Sequence, residues 1–183
     1  RPVLLHHLIA ADREAAQIGD ILARRLAELA PRHRGAVLQA LLARQSFQGG
    51  QGEQASRHAE AALAALPDAD AQDRPGVLRS AAHAHLLRIE KLDDVQQWLA
   101  QALAGACALG QHDVQARTLV NQALLLLRQQ GYAAQPQRLV LHRQALALWR
   151  RHGPQPRVVS WLLTLALQEG GRRKAAQQLL LLQ

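Results

Sequence analysis

The chain predicts an all-α fold, a right-handed superhelix of antiparallel helix pairs stacked as an α-solenoid of about four and a half repeats of 40 residues. Three observations carry this expectation. Ala43, His83, Ala123 and Leu163 stand 40 residues apart in four similar segments. The apolar stretch around each ends at a turn (Gly49-Gly50, Glu90-Lys91, Gln130-Gly131 and Gly170-Gly171), and a second helix-like stretch follows. The composition is 49% hydrophobic with only 3% aromatics, and its apolar residues are mostly Ala and Leu, both strong helix formers. A fixed period of about 20–50 residues marks stacked units, each of which needs its neighbours to bury its apolar face.

The elements follow in order along a single domain spanning 1–183. Ala15, Gly19 and Leu22 precede Ala55, Ala59 and Ala62 by one period, so residues 3–31 read as a half repeat closed by Pro31. Repeat 36–68 places small residues at Ala43, Ala55, Ala59 and Ala62, where two helices must approach closely, and Pro67 stops its second helix because its ring cannot continue the hydrogen-bond ladder. The acidic, Pro-containing linker 68–75 reads as a mobile or protease-sensitive loop. Repeat 76–109 carries His83 and Leu86 on its first helix and Val95, Leu99, Ala102 and Leu103 on its second, with Asp93 and Asp94 placed to complement the helix dipole.

Repeat 113–151 takes Asp113 as N-cap. Its second helix is shifted by three residues, since Gln101-Ala102-Leu103 recurs as Gln144-Ala145-Leu146; the insertion falls after Gly131, around Tyr132-Ala133-Ala134. Repeat 156–183 contains Trp161, Leu163, Gly170, Ala175 and Leu179 and ends on an apolar run. The missing initiator Met, the half repeat and the uncapped apolar end lead to the expectation of a fragment of a longer protein, one that continues its array or self-associates through its C-terminal end.

Charge and motifs narrow the chemistry. The formal net charge is +8, almost all of it from dispersed arginines, which mainly tunes solubility and non-specific association. Cys107 is the sole cysteine, so no intrachain disulfide forms, and a reducing cytoplasm suits the chain; it reads as a buried small hydrophobe. No apolar stretch reaches the ~18–20 residues of a membrane span. His6-His7 and His83/His85 do not share helix faces, no metal-ligand spacing occurs, and no nucleophile motif is present. The segment is therefore expected to bind rather than catalyse, with no metal and no cofactor of its own.

In stacked helix pairs the first helices line the concave face, so residues one period apart form stripes along it. One stripe is Gln48, Arg88, Arg128 and Gln168; a second is Val37, Val77, Arg117 and Arg157; a third is Ala40, Ser80, Val120 and Ser160. Arg44 lies beside the first, Trp161 sits on a first helix, and Phe47, Leu87, Leu127 and Leu167 supply an apolar wall. Cationic and polar stripes against that wall suit a peptide, a carboxylate or a sugar. Asn121 and Gln122, mid-helix among apolar residues, must be hydrogen-bonded or groove-exposed, because an unpaired buried amide costs about 1–3 kcal/mol. The candidate groove set is Arg44, Gln48, Ser80, Arg88, Arg117, Asn121, Arg128, Arg157, Ser160, Trp161 and Gln168.

Leu42, Ala43, Gly50, Ala55, Ala59, Ala62 and Pro67 fall at tetratricopeptide spacings, so the first full repeat resembles that family. The usual tetratricopeptide unit is about 34 residues. The longer period, together with Ala61-Ala62-Leu63-Ala64-Ala65-Leu66-Pro67, Gln111-His112-Asp113-Val114 and the Leu run of 122–131, resembles the sensor superhelix of MalT-like, LuxR-type transcriptional regulators of the signal-transduction ATPase class. The resemblance covers roughly residues 35–182. It implies a receiver for a small-molecule inducer or a regulatory protein, set between a nucleotide-binding switch and a DNA-binding helix-turn-helix. This chain has neither a phosphate loop nor a recognition helix, so ATP and DNA contacts would come from domains outside it. The rival readings are a free-standing tetratricopeptide adaptor for a peptide or protein, and a basic helical-repeat nucleic-acid binder.

Overall fold

The computed structural model describes residues 31–152. Within them lie six α-helices: α1 (Pro31–Gln48), α2 (Gly52–Ala64), α3 (Arg74–His85), α4 (Leu92–Ala108), α5 (His112–Gln130) and α6 (Gln135–His152). Short 3-10 turns at Leu66–Asp68, Ile89–Lys91 and Gly131–Ala134 lie between them. The expected all-α architecture of consecutive pairs is present: α1 packs on α2, α3 on α4 and α5 on α6. The first helix of each pair also touches the next first helix, α1 on α3 and α3 on α5. The half repeat 3–31 and the repeat 156–183, with its apolar end, fall outside the described residues.

Glycine sets two of the reversals. Gly50 and Gly110 have φ of 73° and 65°, the left-handed region that a Cβ disfavours. In both places the following residue donates its N–H back across the helix end, Gln51 to the Ser46 carbonyl and Gln111 to the Ala106 carbonyl. This satisfies carbonyls that a helix end otherwise leaves bare. The second closure places Gln111 at the N-cap and starts α5 at His112, so Asp113 falls in the first turn instead of capping it as the sequence suggested. A 3-10 turn, Gly131–Ala134, stands where the sequence places the three extra residues.

Two other expectations change. The linker 68–75 is tied down: the Arg74 guanidinium donates to the Ala69 and Pro67 carbonyls, the Asp70 carboxylate accepts the Gln72 N–H, and Gln111 donates to the Gln72 carbonyl at 2.6 Å. Ala69 and Pro75, both within it, are buried. Cys107 is exposed, because the buried stripe of α4 runs through Leu92, Val95, Leu99, Ala102 and Ala106 and leaves the next position facing solvent.

The core changes character along the chain. Between α1, α2 and α3 it is alanine: Ala43, Ala55, Ala59, Ala81 and Ala84 pack together with Phe47 and Leu63 at the margin. Around α3 and α4 it becomes larger, with Leu86, Leu92, Val95, Leu99 and Leu125 in one cluster. Full burial of a Leu or Val contributes about 1.5–3 kcal/mol, so each of these residues adds more apolar stabilisation than an alanine, while the alanines set the spacing. His85 is fully buried near Trp98, with ring centroids 5.5 Å apart, and neither ring nitrogen has a hydrogen-bond partner. Burial lowers its pKa from the ordinary imidazole value.

Among the described glycines, Gly105 has the tightest surroundings, between α4 and the start of α3. A Cβ there would lie 2.9 Å from Pro75 Cγ, on a ring that cannot swing aside. Helix propensity alone favours Gly105→Ala by about 1 kcal/mol, whereas overpacking costs about 1–3 kcal/mol. We expect Gly105→Ala to lower the urea-unfolding free energy by about 1 kcal/mol, and to raise it when made in a Pro75→Ala background. A stabilised single variant would refute the contact.

Candidate ligand-binding groove

Three first helices bring one face each to a common groove. On α1 the groove residues are Val37, Ala40, Leu41, Arg44 and Gln48, a spacing of three and four that keeps them on one helix face. On α3 they are Gly76, Val77, Arg79, Ser80 and His83, and on α5 Asp113, Val114, Arg117, Val120 and Asn121, at the same spacing. Two adjoining cavities open along them. The larger, about 260 Å³, runs from Val37 to Arg117 and includes Asp73. The smaller, about 220 Å³, is lined by Arg44, Gln48, Arg79, His83, Arg117, Val120, Asn121 and Trp149.

The second and third stripes therefore meet as far as the described residues extend. Val37, Val77 and Arg117 join Ala40 and Ser80 in the larger cavity, and Val120 lines the smaller. Of the candidate groove set, Arg44, Gln48, Ser80, Arg117 and Asn121 line the cavities. Arg157, Ser160, Trp161 and Gln168 lie outside the described residues.

The first stripe does not stay together. Gln48 lines the smaller cavity, but Arg88 sits beyond the end of α3 in extended backbone (φ −99°, ψ 107°) and pairs with Glu90 at 2.6 Å and Glu60 at 3.8 Å. Arg128 reaches the Leu87 carbonyl at 3.5 Å in an exposed position. The physical reason is helix length: α3 has 12 residues against 18 in α1 and 19 in α5, so a residue 40 positions after the end of α1 is no longer helical. Of the expected wall, Phe47 packs on the His83 ring with centroids 4.4 Å apart, whereas Leu87 is exposed.

Arg79, His83, Asp73, Asp113 and Trp149 were not in the sequence-derived set, and the structure adds them. Trp149 belongs to a second helix, yet it lines the smaller cavity and its indole donates Nε1–H to Asp113 Oδ1 at 3.0 Å. Arg117 Nε donates to the other oxygen of Asp113 at 2.8 Å. Arg79 donates to Ser80 Oγ at 2.9 Å. The period pointed away from Arg79, because its equivalents are Gln39 and the buried Leu119. The spacing of Val77, Ser80 and His83 along α3 was the one signal that could have included His83.

Asn121 is buried and cross-links two first helices. Its Oδ1 lies 3.1 Å from His83 Nδ1, and its Nδ2 donates to the Arg79 carbonyl at 3.4 Å. With Oδ1 as acceptor, the His83 proton sits on Nδ1. Burial, and then the charges of Arg79, Arg44 and Arg117, lower the His83 pKa from 6.5 to about 4, against the opposing pull of the Asn121 bond. At neutral pH His83 is an uncharged hydrogen-bonding group lining the same cavity as Arg44, Arg79 and Arg117. Among the described residues no three His, Cys, Asp or Glu side chains gather as a metal-ligand set, and no helix is long and apolar enough to cross a membrane. No protein-family model, curated protein or solved structure matches the chain.

The depressed His83 pKa makes stability depend on pH. Between pH 6.5 and 4 the unfolded imidazole binds a proton that the folded one does not. The contribution is neutral above pH 6.5, becomes destabilising as pH falls through that value, and levels off below about 4, amounting to about 3 kcal/mol. His83→Gln should flatten the fall in urea-unfolding free energy across this window relative to the parent. Parallel pH profiles for the two proteins would count against a half-buried, neutral His83.

Proposed function

We propose that this segment is the effector-sensing, protein-interaction superhelix of a MalT-like transcriptional regulator: a right-handed tetratricopeptide-like solenoid of about four and a half repeats whose concave groove receives a small-molecule inducer or a regulatory protein. The observation that carries the binding role is the continuous groove along α1, α3 and α5, with guanidinium donors over an apolar floor. Arginine presents planar, paired donors suited to carboxylates and other oxyanions. The 40-residue period and the wording of 61–67, 111–114 and 122–131 support the regulator rather than a generic adaptor.

Binding would act by population shift. An effector that touches several first helices at once favours one pitch of the array, and an attached switch domain whose states differ in that pitch follows. The segment binds rather than catalyses, works in the cytoplasm, and contacts DNA only through a domain elsewhere in the protein.

The gene sequence on either side of this segment tests the proposal. We expect a phosphate-loop nucleotide-binding domain upstream and a helix-turn-helix downstream. A full-length protein with neither would overturn the regulator and leave the tetratricopeptide adaptor. Strongly salt-dependent binding of this segment to random-sequence duplex DNA would favour the nucleic-acid binder instead.

A further inference from the structure

His85 is the last residue of α3, and its side chain has no exposed surface. An uncharged imidazole carries one N–H donor and one lone pair, and here neither has a hydrogen-bond partner. The ring lies against Trp98 instead, with centroids 5.5 Å apart. Unpaired buried polar atoms destabilise a fold, so an apolar residue of similar size would serve this position better. The enclosure suits the protonated ring even less. Imidazolium has two N–H donors and a positive charge, and it would find no acceptor there.

Acceptors stand at the rim. Glu60 on α2 and Asp94 on α4 favour the protonated ring, whereas Arg88 and Lys91 in the turn between α3 and α4 oppose it. Both carboxylates are about half exposed, at 56% and 49%. From α5, Arg128 reaches the Leu87 carbonyl just past the helix end, while Arg44 of α1 acts on His83 on the groove side of α3. Little backbone has to move for the ring to reach the rim, because α3 stops at His85 and Leu87 is already exposed.

Linkage fixes the direction. A ring that has swung out titrates at the ordinary imidazole value of about 6.5, and the enclosed ring does not take the proton. The open-to-closed ratio is therefore constant above about pH 6.5 and rises about ten-fold for each pH unit below it. We propose that His85 is an acid-sensitive latch at the end of α3, enclosed against Trp98 when uncharged and, once protonated, drawn out to the carboxylates of Glu60 and Asp94. Opening also competes for Glu60 with Arg88, 3.8 Å away, the ion pair that links α2 to the α3–α4 turn. Acid then loosens the junction between the first two helix pairs while the helices persist. The latch is independent of what the groove binds and of the regulator reading.

The test follows the 183-residue chain by NMR between about pH 8 and 4.5, where an imidazole titrates. The readouts are the His85 Cε1–H shift, the Trp98 indole Nε1–H shift and the hydrogen-exchange protection of amides in the last turn of α3. We expect that protection to be constant above about pH 6.5 and to fall about ten-fold per pH unit below it, with the Trp98 shift moving together with His85. His85→Leu should abolish the Trp98 response and raise the urea midpoint at neutral pH. Arg88→Gln should move the midpoint of the Trp98 response to higher pH and Glu60→Gln to lower pH; both side chains are exposed, so neither change disturbs the core. His83→Gln should leave the response in place.

Protection at the end of α3 that does not change below pH 6.5 overturns the latch, as does a Trp98 response that survives in His85→Leu or vanishes in His83→Gln. Midpoints unmoved in both Arg88→Gln and Glu60→Gln overturn it as well. Loss of protection at one pH throughout all the helices is global unfolding and equally contradicts it.

Discussion

Close approach of helix backbones through alanine is the constraint on which the rest of this structure depends. Where α1, α2 and α3 meet, the contacts are Ala43 against Ala55, Ala59, Ala81 and Ala84, all essentially excluded from solvent. A methyl group adds little apolar area, so this junction is not where most hydrophobic stabilisation arises. Its effect is to bring the helices near enough that side chains on α1, α3 and α5 share one groove. Larger residues take over only where the pairs are farther along the chain, at Leu92, Val95 and Leu99 and then at Leu146 and Trp149.

That spacing turns single side chains into a site. Arg44, Arg79 and Arg117 come from three helices, and each alone is an ordinary surface arginine. Drawn together, they repel one another, and the fold offsets this locally. Asp113 holds Arg117, Trp149 holds Asp113, and Asn121 links α5 to α3 through His83 and the Arg79 carbonyl. His83 is kept uncharged by the same burial and the same cations. A protonated imidazole there would add a fourth positive charge to a half-enclosed space.

The sequence disclosed what depends on period and on local chemistry. Helix type, the pairing order, the turns at Gly49-Gly50 and Gln130-Gly131, and the insertion at 132–134 were all legible, because glycine and the Ala/Leu spacing act within a few residues. The stripe through Val37, Val77 and Arg117 was legible because all three lie early on their helices, before differences in length accumulate. Arg88 was misplaced because α3 ends at His85 with neither glycine nor proline to announce it. Trp149 and Asp113 could not be paired from sequence, since 36 residues and a helix turn separate them. Arg79 was hidden by the period itself, whose equivalent position in the next repeat is buried.

Equilibrium unfolding of Ala81→Leu addresses the alanine constraint most directly. Ala81 lies on α3 at the point where α1 and α2 converge, and it has no exposed surface. If alanine contact sets the helix spacing, the added bulk has nowhere to go, and the urea-unfolding free energy should fall by about 1–3 kcal/mol relative to the same change at the exposed Ala100. An Ala81→Leu protein as stable as the parent, or more so, would contradict the account, because it would mean that the first helices are not held at alanine distance.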